Sequence, residues 1–221
     1  MALIVSLPVN SVELAVAAVT GGADAVKVHV NVEHRASGTH FGSFVEERQR
    51  LLAIAQATGG SVSLGIMPGA HTVASPDELK ELSAAGFEFL DCYAHDLPAC
   101  YLADQGLKKM LACDSSFRCD EAKWFASLGA DAVEASIIEP EGYGRPLMSN
   151  DLARYRSLVE SSRLPVVVPT QRRIQPEEVS LLGRAGVSGI MIGAIVTGKE
   201  PRTVERTTRQ FRESIERMLE G

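Results

Sequence analysis

The chain has 221 residues, of which 45% are hydrophobic and 23% are charged, and this composition suits one domain with a sizeable core. The net charge is −6 and no block of like charge occurs, so an electrostatic signature for nucleic acid is missing. Four cysteines without a CxxC spacing favour a reducing, cytoplasmic environment over a disulfide scaffold. The apolar N-terminal run is broken by Pro8, Asn10 and Glu13, so we expect neither a signal peptide nor a membrane span.

Short strand-like runs alternate with helix-like runs along the whole chain. Strands are predicted at 2–6, 25–30, 62–67, 88–92, 109–113, 132–137, 166–169 and 189–192. Helices are predicted, among others, at 45–57, 76–85, 97–104, 120–128, 149–162, 176–185 and 200–219. Eight strand–helix units in this length predict an α/β protein with a single (βα)8 TIM barrel over residues 1–221. A doubly wound open sheet is the alternative, which the even spacing of the units disfavours.

An internal repeat supports the barrel. Four predicted helix-to-strand junctions share one pattern, which reads "GADAVKVHV", "GFEFLDCYA", "GADAVEASI" and "GVSGIMIGA" from Gly22, Gly86, Gly129 and Gly186. The residues four and six positions after each glycine are apolar, as expected for the strand face under the helices. The fifth positions hold Lys27, Asp91, Glu134 and Met191, and the seventh positions hold His29, Tyr93, Ser136 and Gly193.

Alternate strands contribute the four side chains of each interior layer of such a barrel. Lys27, Asp91 and Glu134 should therefore converge near the catalytic end, with His29 in the layer above. Buried ionisable groups are costly unless they are paired, so a purely structural ion cluster is one interpretation. The alternative is a catalytic group in which Lys27 transfers protons or, with a lowered pKa, forms a Schiff base. His29 could shuttle protons beside it.

The segment "HVNVEHRASGTHFGSF" from residue 29 follows the second predicted strand and holds three of the five histidines. All five histidines fall in the connections after strands two to four, which indicates an active-site loop with Gly38 and Gly42 as candidate hinges. Arg35 in this segment is a candidate substrate ligand. A long solvated loop with incidental histidines is the alternative.

A divalent metal is a further alternative, although no metal or other cofactor is our first expectation. Mixed imidazole and carboxylate ligands suit Zn, Mn or Fe, but no HxxxH or comparable spacing occurs. The candidate ligands are His29, His71, His95, Asp91 and Glu134.

The C-terminal third carries the pattern of a phosphate site. "VVVPTQRRIQPEEV" and "GIMIGAIVTGKEP" place Arg172 and Arg173 after the seventh strand and Gly193 and Ala194 after the eighth. In (βα)8 enzymes a phosphate often sits between these two loops, where backbone N–H groups and an arginine bind it.

Residues 112–199 resemble the ribulose-phosphate-binding barrel superfamily, and most closely the N-acylmannosamine-6-phosphate 2-epimerases. The likeness lies in "ACDSSFRCDEAKWFASLGADAVEASI", in Gly142 with the following tyrosine, and in "RRIQPEEVSLLGRAGVSGIMIGAIVTG". It implies that Arg173, Gly193 and Ala194 contact phosphate and that Asp114 lines the sugar site.

Two positions depart from that family. Met67 stands at its catalytic lysine and Gln171 at its catalytic glutamate, so 2-epimerisation by the same route is doubtful, and Gln171 is kept as a substrate-binding candidate. "GGADAVKV" with its glycine-containing loop also resembles, more weakly, barrels in which a lysine near strand two condenses triose phosphates.

The leading hypothesis is an enzyme that isomerises, epimerises or cleaves a small phosphorylated sugar or keto metabolite next to a carbonyl. Lys27, His29, Asp91 and Glu134 are its catalytic candidates. A non-catalytic phosphate-binding barrel and a metal-dependent lyase are the alternatives. We expect a small-molecule partner rather than nucleic acid or a membrane, and a homodimer only on general frequency.

Overall fold

A computed structural model describes residues 1–103 and 106–220. The described residues form a closed barrel of eight parallel strands, which confirms the predicted (βα)8 fold. The strands of the barrel follow one another in the order β1, β2, β5, β6, β7, β8, β9 and β10, and β10 pairs with β1. Their bounds are Ala2–Ser6, Ala25–His29, Ser63–Met67, Phe87–Tyr93, Lys108–Cys113, Ala132–Ala135, Val166–Pro169 and Gly189–Ile192. A separate antiparallel hairpin, β3 (Val32–His34) and β4 (Thr39–Phe41), lies in the connection after β2.

Seven α-helices occur in the described part of the chain, and they surround the barrel. Their bounds are α1 Val12–Thr20, α2 Phe44–Thr58, α3 Pro76–Ala84, α4 Ser149–Ser162, α5 Val179–Arg184, α6 Ala194–Thr197 and α7 Pro201–Glu220. Among these described helices none is long and apolar enough to cross a membrane.

Two predicted helices are wrong in type. The segment predicted as a helix over 120–128 forms two short 3-10 helices, Cys119–Trp124 and Ala126–Leu128. The segment predicted over 97–104 contains only the 3-10 helix Ala99–Leu102, and its predicted end at residue 104 lies outside the described residues.

Local sequence explains where several elements begin and end. Ser43 and Ser75 close capping boxes with the glutamates three residues later, which start α2 and α3. The four repeated glycines all have positive φ, between 83° and 101°, at the point where the chain leaves a helix and enters an even-numbered barrel position. Glycine adopts this conformation without steric cost, and this is the physical basis of the repeat.

The barrel has two separate apolar cores. The larger one lies between strands and helices and contains the side chains four and six residues after each repeated glycine, as predicted. The smaller one lies in the barrel interior and consists of Ile4, Ala25, Met110 and Val167, together with Met191 from the layer of the charged residues. Gly65 also faces inward, and a Cβ atom there would overlap the ring of Phe89. The charged layer therefore lies directly above a closed apolar plug.

Candidate active site

Lys27, Asp91 and Glu134 meet inside the barrel, as the glycine repeat predicted. Lys27 Nζ lies 2.6 Å from Asp91 Oδ2 and 3.2 Å from Glu134 Oε2. All three side chains are at most 8% exposed. Because β2, β6 and β8 are alternate strands of the barrel, their inward side chains reach the axis at one height. We call these three residues the Lys27 cluster.

Burial and mutual charge set the protonation of the Lys27 cluster. Burial opposes the charge on Lys27, but Asp91 and Glu134 outweigh it and raise its pKa. Burial also acts against an ionised Glu134, yet Lys27 and hydrogen bonds from Asp91 and Ser136 lower its pKa to about 2. Burial, followed by the charge of Glu134, raises the pKa of Asp91 well above its ordinary value. These directions favour a cationic Lys27 and an anionic Glu134, with the proton of the carboxyl pair on Asp91.

Hydrogen bonding agrees with this assignment. Asp91 Oδ1 is buried and accepts no hydrogen bond from the described residues, whereas Asp91 Oδ2 accepts one from Lys27. A hydrogen bond between Asp91 and Glu134 raises the pKa of the first and lowers that of the second. A protonated Asp91 that donates to Glu134 satisfies both carboxyl groups. The cluster thus places one carboxylic acid and one carboxylate beside a fixed cation.

His29 lies above the Lys27 cluster in a tightly packed site. Its Nε2 is 3.2 Å from Ser6 Oγ, and its ring packs against those of His34 and Phe41, with centroids 4.6 Å and 4.7 Å away. Burial, then the charges of His34 and Lys27, lower its pKa well below the ordinary value, so the ring is neutral. Its Nδ1 is buried and has no hydrogen-bond partner among the described residues. His29 can therefore accept a proton only from a bound ligand or after the packing loosens.

The segment after β2 folds into the β3–β4 hairpin rather than an open loop. Gly38 has a φ of 62° in its turn, and Gly42 leaves room for the carboxylate of Glu46. The prediction that these glycines are hinges is not tested by this arrangement. His34 lines the cavity, whereas His40, which lies in the same connection after β2, is exposed and pairs with a glutamate of the hairpin.

The catalytic end of the barrel encloses a cavity of about 360 Å³ above the Lys27 cluster. This volume lies at the lower end of the range for small-molecule sites and suits a compact metabolite. His29, Arg35, Asp114, Gln171 and Gly193 line it, as do other strand-end residues. Met67 also lines it, so the position of the epimerase lysine is apolar.

One wall of the cavity is a hydrogen-bonded group of neutral side chains, which we call the Tyr143 network: Tyr93, Ser136, Tyr143 and Gln171. The Gln171 amide nitrogen donates to Tyr143 Oη (2.5 Å) and Ser136 Oγ (3.1 Å), and its oxygen accepts from a backbone N–H. Tyr93 Oη lies 3.2 Å from Ser136 Oγ. Since Ser136 also hydrogen-bonds to the anionic Glu134, its hydroxyl donates to that carboxylate and accepts from Tyr93. The network thus orients donors toward Glu134.

Gln171 is therefore placed in the cavity wall as a structural donor. An ionised glutamate at that position could not donate these bonds, which is a physical reason for the departure from the epimerase pattern. Tyr143 was noted in sequence only as part of a possible loop over the site, and its contact with Gln171 could not be read from spacing.

The rim of the cavity beside Tyr93 carries paired histidines. His95 lies 3.1 Å from Asp114 and 3.6 Å from Asp96, and its ring stacks on Tyr93. His71 lies 3.3 Å from Asp96. Asp96 was not singled out by sequence, because an aspartate three residues after a strand has no distinctive pattern.

The five candidate metal ligands are not brought to one point. His29 is held by Ser6 and aromatic rings, whereas His71 and His95 lie with Asp96 at the rim. Within residues 1–103 and 106–220, no group of three or more His, Cys, Asp or Glu is arranged to hold a metal ion. The predicted ligand set is therefore not assembled.

The predicted phosphate loops are only partly assembled. Arg172 makes a two-pronged ion pair with Asp151, at 2.8 Å and 3.0 Å. Arg173 is exposed and is not among the described residues that line the cavity, and its contact with phosphate stays a prediction. Gly193 lines the cavity, but its N–H donates to Thr170 Oγ1 at 3.0 Å, and Ala194 begins α6 outside the lining.

No protein-family model matches the chain, and no curated protein matches it. Solved structures do match. Tryptophan synthase from Mycobacterium tuberculosis has a TM-score of 0.75 and 16% identity, covering 97% of this chain and 92% of that one. Thiamine phosphate pyrophosphorylase from Pyrococcus furiosus has a TM-score of 0.70 and 19% identity, covering 99% of this chain and 96% of that one. Phosphoribosyl anthranilate isomerase from Thermus thermophilus has a TM-score of 0.70 and 16% identity, covering 99% and 100%. At these identities the likeness establishes a shared (βα)8 barrel fold.

Proposed function

We propose that the protein is an enzyme that moves a proton at a carbon next to the carbonyl of a small phosphorylated sugar or keto metabolite. The Lys27 cluster carries this proposal, because it places a carboxylate, a protonated carboxyl and an ammonium group within hydrogen-bond distance at the bottom of a cavity. Isomerisation or epimerisation is the reaction that such an acid–base set performs most directly.

In the proposed reaction Glu134 removes the proton from the carbon next to the carbonyl. The C–H electron pair forms the new C=C bond of an enediol or enolate, and the carbonyl π electrons move to oxygen. Asp91 donates its proton to that oxygen, while the cation of Lys27 stabilises the developing negative charge. Return of the proton from Glu134 to the former carbonyl carbon, with transfer of the hydroxyl proton on the neighbouring carbon to Asp91, gives the isomer and restores both carboxyl groups. An epimer instead requires that a second acid protonate the original carbon from the opposite face.

The charge on Lys27 decides between proton transfer and imine chemistry. An amine must lose its proton before it attacks a carbonyl, and the two carboxyl groups favour the protonated form. We therefore favour an enolate route without a Schiff base. Aldol-type cleavage through the same enolate remains the alternative reaction, with Glu134 removing a hydroxyl proton.

A phosphorylated substrate is supported by two of the structures that share the fold, which are named for thiamine phosphate and phosphoribosyl anthranilate. We place the protein with the ribulose-phosphate-binding barrels on this basis and on the sequence resemblance. The narrower likeness to N-acylmannosamine-6-phosphate 2-epimerases stays a prediction, and Met67 and Gln171 argue against the epimerase reaction route.

Proton exchange tests the proposal without knowledge of the product. The purified protein is incubated in D2O with a panel of ketose and aldose phosphates, and ¹H NMR follows loss of the C–H signal next to the carbonyl. We expect exchange with the wild type and a fall of about 10² to 10⁴-fold in Glu134→Gln. Glu160→Gln, on the outer helix α4 and paired with Arg156, is the matched control and should keep full exchange.

The outcomes separate the candidate functions. Binding of the panel without exchange or cleavage in the wild type would indicate a non-catalytic barrel and refute the enzyme proposal. New signals from smaller fragments would indicate the lyase alternative. Equal exchange in Glu134→Gln and the wild type, with both proteins folded by circular dichroism, would remove Glu134 as the base.

A further inference from the structure

The cationic side chains that line the cavity differ in whether they are already paired. Lys27 is neutralised by Asp91 and Glu134 at the bottom. Arg35 lines the opening and, among the described residues, makes no ion pair or hydrogen bond through its guanidinium group. We infer that Arg35 binds the phosphate of the substrate, on the hairpin side of the barrel rather than between the last two strand-end loops. This inference rests on the proposed function for the identity of the anion.

The position between the loops after β9 and β10, where (βα)8 enzymes often bind phosphate, has two of its candidate groups already bonded. The guanidinium of Arg172 is occupied by Asp151 and by the Gly142 carbonyl, to which it donates at 3.1 Å. The Gly193 N–H donates a hydrogen bond to the Thr170 hydroxyl. An anion bound by Arg172 or by the Gly193 N–H would have to displace these formed bonds, which are part-buried and costly to leave unmade.

The hairpin holds Arg35 in place through the residue before it. His34 packs between His29 and Phe41, and its Nδ1 lies 2.8 Å from Ser37 Oγ. Burial, then the charge of Lys27, lowers the pKa of His34 to about 4, so this ring is a neutral anchor at physiological pH. The backbone N–H of Gly38 donates to the His34 carbonyl at 2.8 Å and closes the turn that carries Arg35.

The charges around the opening of the cavity also favour phosphate binding at Arg35. Asp96 and Asp114 lie on the rim with His71 and His95, so that part of the opening repels a dianion unless both rings are protonated. Burial raises the pKa of the Tyr143 hydroxyl across the cavity, and the charge of Arg35 acts in the opposite direction.

A guanidinium group fits a phosphate through two parallel N–H···O bonds, and Arg35 can make them without losing an existing partner. A substrate held there spans the cavity with its carbonyl toward the Lys27 cluster. Arg35 and Glu134 would then act on opposite ends of one short molecule, which limits substrates to compact phosphate esters.

Inorganic phosphate is the probe that separates this inference from the reaction. Its Kd is measured by isothermal titration on the wild type, Arg35→Ala, Arg35→Lys and Arg184→Ala, at constant ionic strength. We expect Kd to rise about tenfold or more in Arg35→Ala, because a charge-assisted pair is lost, and to rise less in Arg35→Lys, which keeps the charge. Arg184, an exposed residue at the end of α5, is the control for loss of one positive charge.

The variant Arg173→Ala tests the alternative that phosphate binds at the loop after β9. Weaker phosphate binding in Arg173→Ala, with Arg35→Ala unchanged, would move the site to the loop after β9 and overturn the inference. Failure of the wild type to bind phosphate would overturn it as well. Neither result affects the exchange assay, so the proposed function is judged separately. If exchange is found, Arg35→Ala should raise KM for phosphorylated substrates more than it lowers kcat.

Discussion

Replacing Lys27 by methionine tests whether the Lys27 cluster has the charges assigned to it. The substitution preserves most of the side-chain volume but removes the cation that faces Asp91 and Glu134 at 2.6 Å and 3.2 Å. Both carboxyl groups stay buried, so burial is then unopposed and should raise the pKa of each above its ordinary value. We expect a folded but less stable protein at neutral pH.

The expected loss of stability in Lys27→Met follows from the pKa of Glu134. Lowering its pKa from 4.5 to about 2 corresponds to about 3 kcal/mol at about 1.4 kcal/mol per pH unit. A group with a lowered pKa stabilises the fold above its unfolded value, and that contribution is lost as pH falls from 4.5 toward 2. Loss of one partner of a buried ion pair typically costs about 3–5 kcal/mol, in agreement with this value.

Urea unfolding at about pH 7 and about pH 5 measures the effect. In Lys27→Met the raised carboxyl pKa values reverse the sign, because the folded state now binds protons more strongly than the unfolded state, so acid should partly restore its stability. The destabilisation relative to the wild type should therefore be about 3–5 kcal/mol at neutral pH and smaller at the lower pH.

Lys109→Met is the matched control. Lys109 is also buried in a strand, but its Nζ donates to the Leu107 carbonyl at 3.2 Å. Its destabilisation should not depend on pH over this range. A loss of unfolding free energy in Lys27→Met that is the same at both pH values, or is below about 1 kcal/mol, would refute the assigned charges.

Three further outcomes are expected. Ser136→Ala removes a hydrogen bond that lowers the pKa of Glu134, so the acidic limb of the pH–rate profile for proton exchange should move to higher pH; an unmoved limb would contradict the bond. Borohydride added during turnover should leave no substrate adduct on Lys27, as measured by mass spectrometry, because the charged amine does not form an imine. A reduced adduct on Lys27 would show that an imine forms and would contradict the enolate route. Gly65→Ala should lower the free energy of unfolding by about 1–3 kcal/mol in urea titrations, because the added methyl group meets Phe89, and wild-type stability would show that the plug is loosely packed.

The barrel and its charged layer could be predicted because both depend on local sequence. Strand side chains alternate with a period of two, and a glycine with positive φ marks where each of four strands begins. Counting from those glycines placed Lys27, Asp91 and Glu134 at equal height. Closure of the barrel then brings them together, whatever their separation in the chain.

Side-chain partners beyond that layer could not be predicted in the same way. Arg172 and Arg173 are adjacent arginines after the same strand, yet Arg172 is bound to Asp151 and Arg173 is exposed. Gln171 gained its partners Ser136 and Tyr143 from the connection after β8, to which no sequence spacing relates it.

The residue types and their periodicity thus determined the fold and the chemical groups at the bottom of the cavity. The three-dimensional structure decided which of those groups are charged, because a buried group responds to the number of charges and donors within a few ångströms. It also decided that Arg35 faces the cavity without a partner in the described parts of the chain, since the direction of a side chain on a hairpin depends on what the hairpin packs against.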